Sequence, residues 1–149
     1  MKKITVDQPK TTQEFEEYYF LRWKILRKPF NKKKGTEKDN LEKDSNHIYI
    51  KNKTNSIIAI GRIHIVENTV EKIAQIRFMA VDYDFQGLGL GTIILKELEK
   101  QAKKKSVHLI ILHAREKALK FYKKNGYVLI EKSHLLFNKV QHWLMHKKI

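Results

Sequence analysis

The chain reads as a single α/β domain over residues 1–149, with a mixed central sheet of about six to seven strands, splayed at its centre and flanked by about four helices. Three observations predict this. The apolar period switches between helical and strand spacing along the sequence. A run of alternate glycines joins a strand pattern to a helix pattern. The chain has 149 residues, 42% hydrophobic and 32% charged, a size and balance that bury one core.

Residues 3–6 carry a short strand pattern, and Thr11 followed by Glu14 forms a capping box that opens a helix from about residue 12. Phe15, Tyr18, Tyr19, Arg22 through its stem, Ile25 and Leu26 recur at helical spacing, and Pro29 stops the run. Residues 31–46, NKKKGTEKDNLEKDSN, are polar and charge-rich: a loop with room for one short helix, and the segment expected to move most. An antiparallel meander follows: HIYIKN at 47–52, SIIAIGRIHIV at 56–66 and EKIAQIRFMAV at 71–81, the last two joined by Glu67, Asn68 and Thr69.

After Gly91, Ile94, Leu95, Leu98 and Ala102 share one helical face, with Lys96, Glu99, Lys100 and Lys103 opposite. VHLIILH at 107–113 is a buried-type strand, so the path from Ile73 to Leu112 is a βαβ crossover, expected to be right-handed and parallel or locally splayed. A helix over 115–124 turns Ala118, Phe121 and Tyr122 inward and ends at Asn125-Gly126, a left-handed cap. Strands from Tyr127 and from about Gln141 complete the pattern.

The absence of cysteine excludes disulfides and thiolate metal sites. No apolar segment follows the basic start MKKITVDQPK and no run approaches the roughly 20 residues of a membrane span, so a cytoplasmic protein without a membrane partner is expected. The formal charge of +15 invites a nucleic-acid reading. Against it, the lysines are scattered in pairs and triples, without a recognition motif or exposed aromatics interleaved on a common face.

The chemistry concentrates in Asp84-Phe85-Gln86-Gly87-Leu88-Gly89-Leu90-Gly91-Thr92, between a strand ending at Val81 and a helix starting near Leu90. Alternate glycines expose backbone N–H groups at a helix N-terminus, where partial positive charge suits a phosphate or pyrophosphate. A dinucleotide fingerprint begun at Gly87 would need glycine at Thr92, and no Gly-Lys-Ser/Thr follows, so the loop is neither of the two commonest phosphate cradles.

Gln86, Gly89 and Gly91 do fit Gln-x-x-Gly-x-Gly, and Phe121-Tyr122 with Gly126-Tyr127 stand downstream at a matching separation. In these motifs, over about residues 46–130, the chain resembles the GNAT acetyltransferase superfamily. The resemblance implies a GNAT-like fold and an N-acetyltransferase that passes acetyl from acetyl-CoA to a primary amine by direct attack, with no metal. It implies that Met79, Ala80 and Val81 pair their backbone with the pantetheine arm, as an added strand would. Gln86, Gly87, Leu88, Gly89, Leu90, Gly91 and Thr92 would cradle the pyrophosphate, with Phe121 closing the far side and His113 taking the place of a cofactor-binding asparagine.

Attack on a thioester needs an amine base, an oxyanion donor and a proton for the thiolate. Tyr122 is the expected acid. Many relatives place a glutamate base where Gln75 stands, so His64, His113 or a water chain remain as candidates. Arg77 is either an outward strand residue or a bidentate partner for an acidic acceptor group. Glu37, Asp39, Glu42 and Asp44 either attract a cationic amine or form a solvated face. The acceptor is an amine on a small molecule or a peptide, and an edge strand near the C-terminus offers a homodimer contact. The alternative to an enzyme is a non-catalytic acetyl-CoA-binding module. It would keep the glycine loop and dispense with the acid and base.

Overall fold

The structure, a computed structural model, describes residues 4–149. Its strands are β1 (Val6–Asp7), β2 (Ser45–Lys51), β3 (Ile57–Ile65), β4 (Ile73–Val81), β5 (Leu109–Arg115), β6 (Val128–Leu136) and β7 (Val140–Lys148). Its α-helices are α1 (Thr12–Leu26), α2 (Leu90–Lys104) and α3 (Leu119–Lys124). The strands form one mixed sheet in the order β1-β2-β3-β4-β5-β7-β6, the α/β architecture expected. Two compact units interleave along the chain: the stretch up to His64 with Phe78–Leu98, and Ile65–Arg77 with Glu99–Ile149. No described helix is long and apolar enough to cross a membrane.

In the first unit the capping box opens α1 as expected: Thr11 Oγ1 accepts from the Glu14 N–H at 3.1 Å while Glu14 Oε1 accepts from the Thr11 N–H. The helix ends at Leu26, before Pro29, and Lys28–Phe30 continue as a 3-10 turn. Tyr18, Leu21 and Leu26 bury against Tyr49, Ile57, Ile60 and Ala80. On α2, Ile94, Leu95 and Leu98 are fully buried, each contributing about 1.5–3 kcal/mol relative to exposure. Gly61 of β3 makes that approach possible, because a Cβ there would lie 2.6 Å from Ile94 Cγ2.

In the second unit β4 and β5 run parallel, Ile73 opposite Leu109 and Gln75 opposite Ile111, as a βαβ crossover requires. The last strand, β7, inserts between β5 and β6 and is antiparallel to both. At the end of α3 Gly126 takes φ +91°, and the Tyr127 N–H reaches back to the Tyr122 carbonyl at 3.0 Å, closing the expected left-handed cap.

Four expectations need correction. The first strand is Val6–Asp7 rather than 3–6, and Lys3 lies outside the described residues. The helix expected over 115–124 is a 3-10 turn, Glu116–Ala118, followed by α3. There are three α-helices among the described residues, and the short helix expected in the charged loop is a 3-10 turn at Glu42–Asp44. Within that loop the Lys32 carbonyl accepts from the Trp23 indole N–H at 2.8 Å and the Thr36 carbonyl from Arg27 Nε at 3.1 Å.

Candidate functional site

The glycine loop belongs wholly to the first unit. After β4 the chain makes a 3-10 turn, Tyr83–Phe85, capped by the Asp82 carboxylate accepting from the Tyr83 N–H. Gln86 Nε2 then donates to the Val81 carbonyl at 2.9 Å, tying the loop back to the strand. Gly87 and Gly89 take φ +78° and +82°, and a Cβ on either would meet open space. Their freedom from a side chain thus serves the backbone conformation and whatever approaches from outside, not internal packing. Gly89 accepts the first helical bond of α2 from the Ile93 N–H, Leu90 is buried, and Leu88 is exposed. The first turn of α2 carries no acid, so nothing within that turn offsets the positive end of the helix. These features suit a pyrophosphate.

Upstream on β4, Phe78 holds φ +58°, a conformation rarely open to a bulky side chain. Two fully buried arginines face its ring, the Arg22 guanidinium 4.2 Å and the Arg62 guanidinium 4.8 Å from its centroid. Arg62 donates bidentately to Asp39 at 2.7 and 3.0 Å, and both arginines donate to Glu42 Oε2 at 2.9 Å. Arg22 also donates to the Glu37 carbonyl at 3.1 Å. The sequence reading placed only the stem of Arg22 in the core; its guanidinium is buried too. Both readings of the loop acids fall for Glu37, Asp39 and Glu42, which serve internal arginines and structure: Glu37, 4% exposed, accepts from the Gly35 N–H. An arginine on an apolar helical face and another inside the apolar run IIAIGRIHI were the available signals, because a buried cation needs a nearby acid.

His64 is buried beside this network, its Nδ1 3.4 Å from Arg62 Nη2. A guanidinium can only donate, so Nδ1 accepts and Nε2 carries the proton of the neutral ring. Met79, Ala80 and Val81 follow Phe78 directly, Ala80 buried and the other two half-buried.

The second unit holds Arg77, His113, Phe121 and Tyr122. Phe121 and Tyr122 are half-buried and meet edge-to-face at 5.0 Å. Burial pushes the Tyr122 phenol up to about 12, with Arg115 pulling the other way. His113 Nδ1 is 3.0 Å from Ser133 Oγ, and its ring lies 5.3 Å from that of His134. Burial, then His134, then Arg77 hold its pKa down. The structure thus brings Arg77 and His113 together. It adds His134, His142 and Arg115, which sequence reasoning missed because only the β5–β7 and β6–β7 registers bring them together.

On the outer face of α1, Phe20 and Trp23 lie 5.8 Å apart with Lys34 over both and Lys28 over Trp23. These lysines lie over the chain's own rings. Among the described residues no group of three or more His, Asp or Glu side chains is arranged to hold a metal ion.

Residues 10–127 match the model of the Acetyltransferase (GNAT) family. The chain is 28% identical over 140 residues to YjcF, an uncharacterized N-acetyltransferase of Bacillus subtilis (strain 168), covering 93% of this chain and 95% of that one. It is 31% identical over 113 residues to YyaT, an uncharacterized protein of the same organism, covering 76% and 72%. Its fold is similar to that of a GNAT family acetyltransferase from Elizabethkingia anophelis solved with acetyl-CoA bound, with TM-score 0.76, 16% identity and 98% of each chain covered. Escherichia coli ElaA gives TM-score 0.79 at 18% identity, over 97% of this chain and 99% of that one.

Proposed function

Because the chain belongs to the GNAT acetyltransferase family and is in general terms an acetyl-CoA-dependent N-acetyltransferase, we propose that it acetylates a primary amine by direct attack in a ternary complex, with Tyr122 as the acid. The observation that carries the cofactor half is the glycine loop. Gly87 and Gly89 hold positive φ with open space above them, at the acid-free start of α2. Gln86, Gly87, Leu88, Gly89, Leu90, Gly91 and Thr92 take the pyrophosphate, and Met79, Ala80 and Val81 the pantetheine amides. His113 and Phe121 complete the cofactor contacts.

In the reaction the amine nitrogen attacks the thioester carbon, the C–S bond breaks, and the thiolate takes the Tyr122 proton. The amine's surplus proton leaves to water; His64 accepts it only when its Nδ1 releases the Arg62 guanidinium. A phenol at about 12 is a weaker acid than a thiol near ~8.5, so it releases its proton only as charge gathers on sulfur. Arg115 assists by stabilising the phenolate that forms. Buried beside its cationic neighbour Arg62, His64 is a weaker candidate for its role than Tyr122 is for the acid.

The test is thiol release from acetyl-CoA against an amine panel, beside cofactor affinity by titration. Tyr122→Phe keeps the ring, so turnover falls roughly 10²-fold to 10⁴-fold with acetyl-CoA affinity within a few-fold of wild type. Unchanged turnover across pH removes Tyr122 as the acid. Gly89→Val abolishes the thermal shift given by acetyl-CoA, because its side chain fills the space the pyrophosphate needs. A cofactor shift with no thiol release from any amine favours the non-catalytic binding module.

A further inference from the structure

Within β4, Phe78 takes positive φ immediately before Met79, Ala80 and Val81. Ala74, Ile76, Phe78 and Ala80 are buried in alternation, so the ring of Phe78 lies in the core while its backbone departs from strand geometry. A bulky aromatic reaches φ +58° only at a cost, and such a conformation persists only where its surroundings hold it.

The surroundings of this ring are unusual for a core. Beside the apolar members of its cluster, among them Leu21, Leu26 and Ile60, it meets three guanidinium groups. Arg22 lies 4.2 Å, Arg62 4.8 Å and Arg27 5.6 Å from its centroid. The two nearest are themselves fixed, since both donate to Glu42 Oε2 at 2.9 Å and Arg62 donates bidentately to Asp39. The Nε of each is buried and meets no hydrogen-bond acceptor among the described residues, so contact with the π face adds to what these cations gain from their acids.

The chain is fixed again just beyond Val81. The Asp82 N–H donates to the Ile58 carbonyl of β3 at 2.8 Å, and the Asp82 carboxylate accepts from Lys24 Nζ at 2.8 Å. Gln86 Nε2 donates to the Val81 carbonyl. Met79, Ala80 and Val81 therefore span two anchors, and α1 supplies a cation to each: Arg22 at Phe78 and Lys24 at Asp82.

We propose that Arg22 and Arg62 are positioning residues for the cofactor. By gripping the ring of Phe78 they hold its backbone at positive φ, and so set the direction in which Met79, Ala80 and Val81 meet the pantetheine arm. The second half rests on the acetyltransferase reading above; the first does not. A cation beside a π face responds to the charge of that face, whereas packing responds to shape, and this difference separates the grip from ordinary burial.

Removing either guanidinium leaves a buried acid short of a partner and threatens the fold, so the experiment alters the ring instead. Di-, tri- and pentafluorophenylalanine are placed at Phe78 by codon suppression, which weakens the π face in steps with little change of shape. In the protein without acetyl-CoA, NMR follows the NOE between the amide proton and Hα of this residue, strong at positive φ and weak in an extended strand. The NOE weakens along the series, and acetyl-CoA affinity, measured by titration, falls in step by roughly tenfold in total. In thiol release the loss is carried by KM for acetyl-CoA, with kcat within a few-fold of wild type. Phe78→Leu, which keeps apolar bulk without a π face, behaves as the pentafluoro ring does.

An NOE and an affinity that hold across the whole series show that packing fixes Phe78 and overturn the proposal. A weakened NOE with unchanged affinity keeps the grip and overturns its part in cofactor positioning. If the unaltered protein binds no acetyl-CoA, the transferase reading falls and takes the positioning half with it, while the NOE series still decides the grip.

Discussion

The first unit surrounds Arg22 and Arg62 with Glu42 and Asp39 at 2.7 to 3.0 Å, so their charge is answered within the fold. The second unit sets Arg77 and Arg115 among His113, His134 and His142, and the side-chain influences on those rings are other cations. The same residue type thus has opposite consequences. In the first unit the arginines act as internal cross-links, holding a polar loop to a sheet and pressing on the ring of Phe78 where β4 adopts positive φ. In the second they add to burial, the larger cause, in lowering the affinity of His113, His134 and His142 for protons.

The largest effect that could break this contrast lies in the first unit. Glu42→Ala removes the carboxylate shared by two fully buried guanidinium groups and destabilises the protein by about 3–5 kcal/mol in urea unfolding. A loss under about 1 kcal/mol would mean that the network relaxes freely and does not cross-link the loop.

Acid sharpens the comparison from the other side. The folded pKa of His142, about 4, lies below its ordinary 6.5, so the unfolded chain binds that proton first and acid favours unfolding. Stability is complete above pH 6.5 and falls by up to about 3 kcal/mol by pH 4, with His113 and His134 acting in the same direction. Glu14, held at about 2 chiefly by the Tyr49 hydroxyl, enters only below pH 4.5. His142→Gln flattens the upper window; an unchanged pH–stability curve would place the acid sensitivity elsewhere. The smallest effect is Arg77→Gln, which raises the titration midpoints of His113 and His134 by removing a cation that opposes their protonation. Midpoints that stay put would separate Arg77 from this face.

Most of the fold was legible because it rests on local patterns. The Thr11–Glu14 box, the apolar face of α2 and the Gly126 cap are each written within a few residues, and each stands where the pattern put it. The glycine loop was legible for the same reason. The arginine network was not, because it joins Arg22 to Glu42 across twenty residues and Arg62 to Asp39 across twenty-three, and helical or strand periodicity carries no trace of such pairings. The histidine face was hidden further by the bulge at Ser133 and His134. A simple alternation along β6 sends one of those two side chains to the opposite face, and the inserted residue brings both to the same one.

The placement of β7 between β5 and β6 has a consequence for how the chain is made. A ribosome delivers β5 and β6 before the strand that separates them, and the emerging β5 lacks its antiparallel neighbour until Val140–Lys148 has been synthesised. The β6–β7 hairpin closes locally, Leu136 opposite Val140, and then adds to β5 through pairings as distant in sequence as Leu109 with Lys148. Such late, long-range pairing is slow, and it leaves apolar Leu109, Ile110 and Ile111 exposed to other nascent chains in the meantime. Holding the nascent chain at the end of β6 should therefore yield a protease-sensitive second unit, and releasing the final strand should restore resistance in one step.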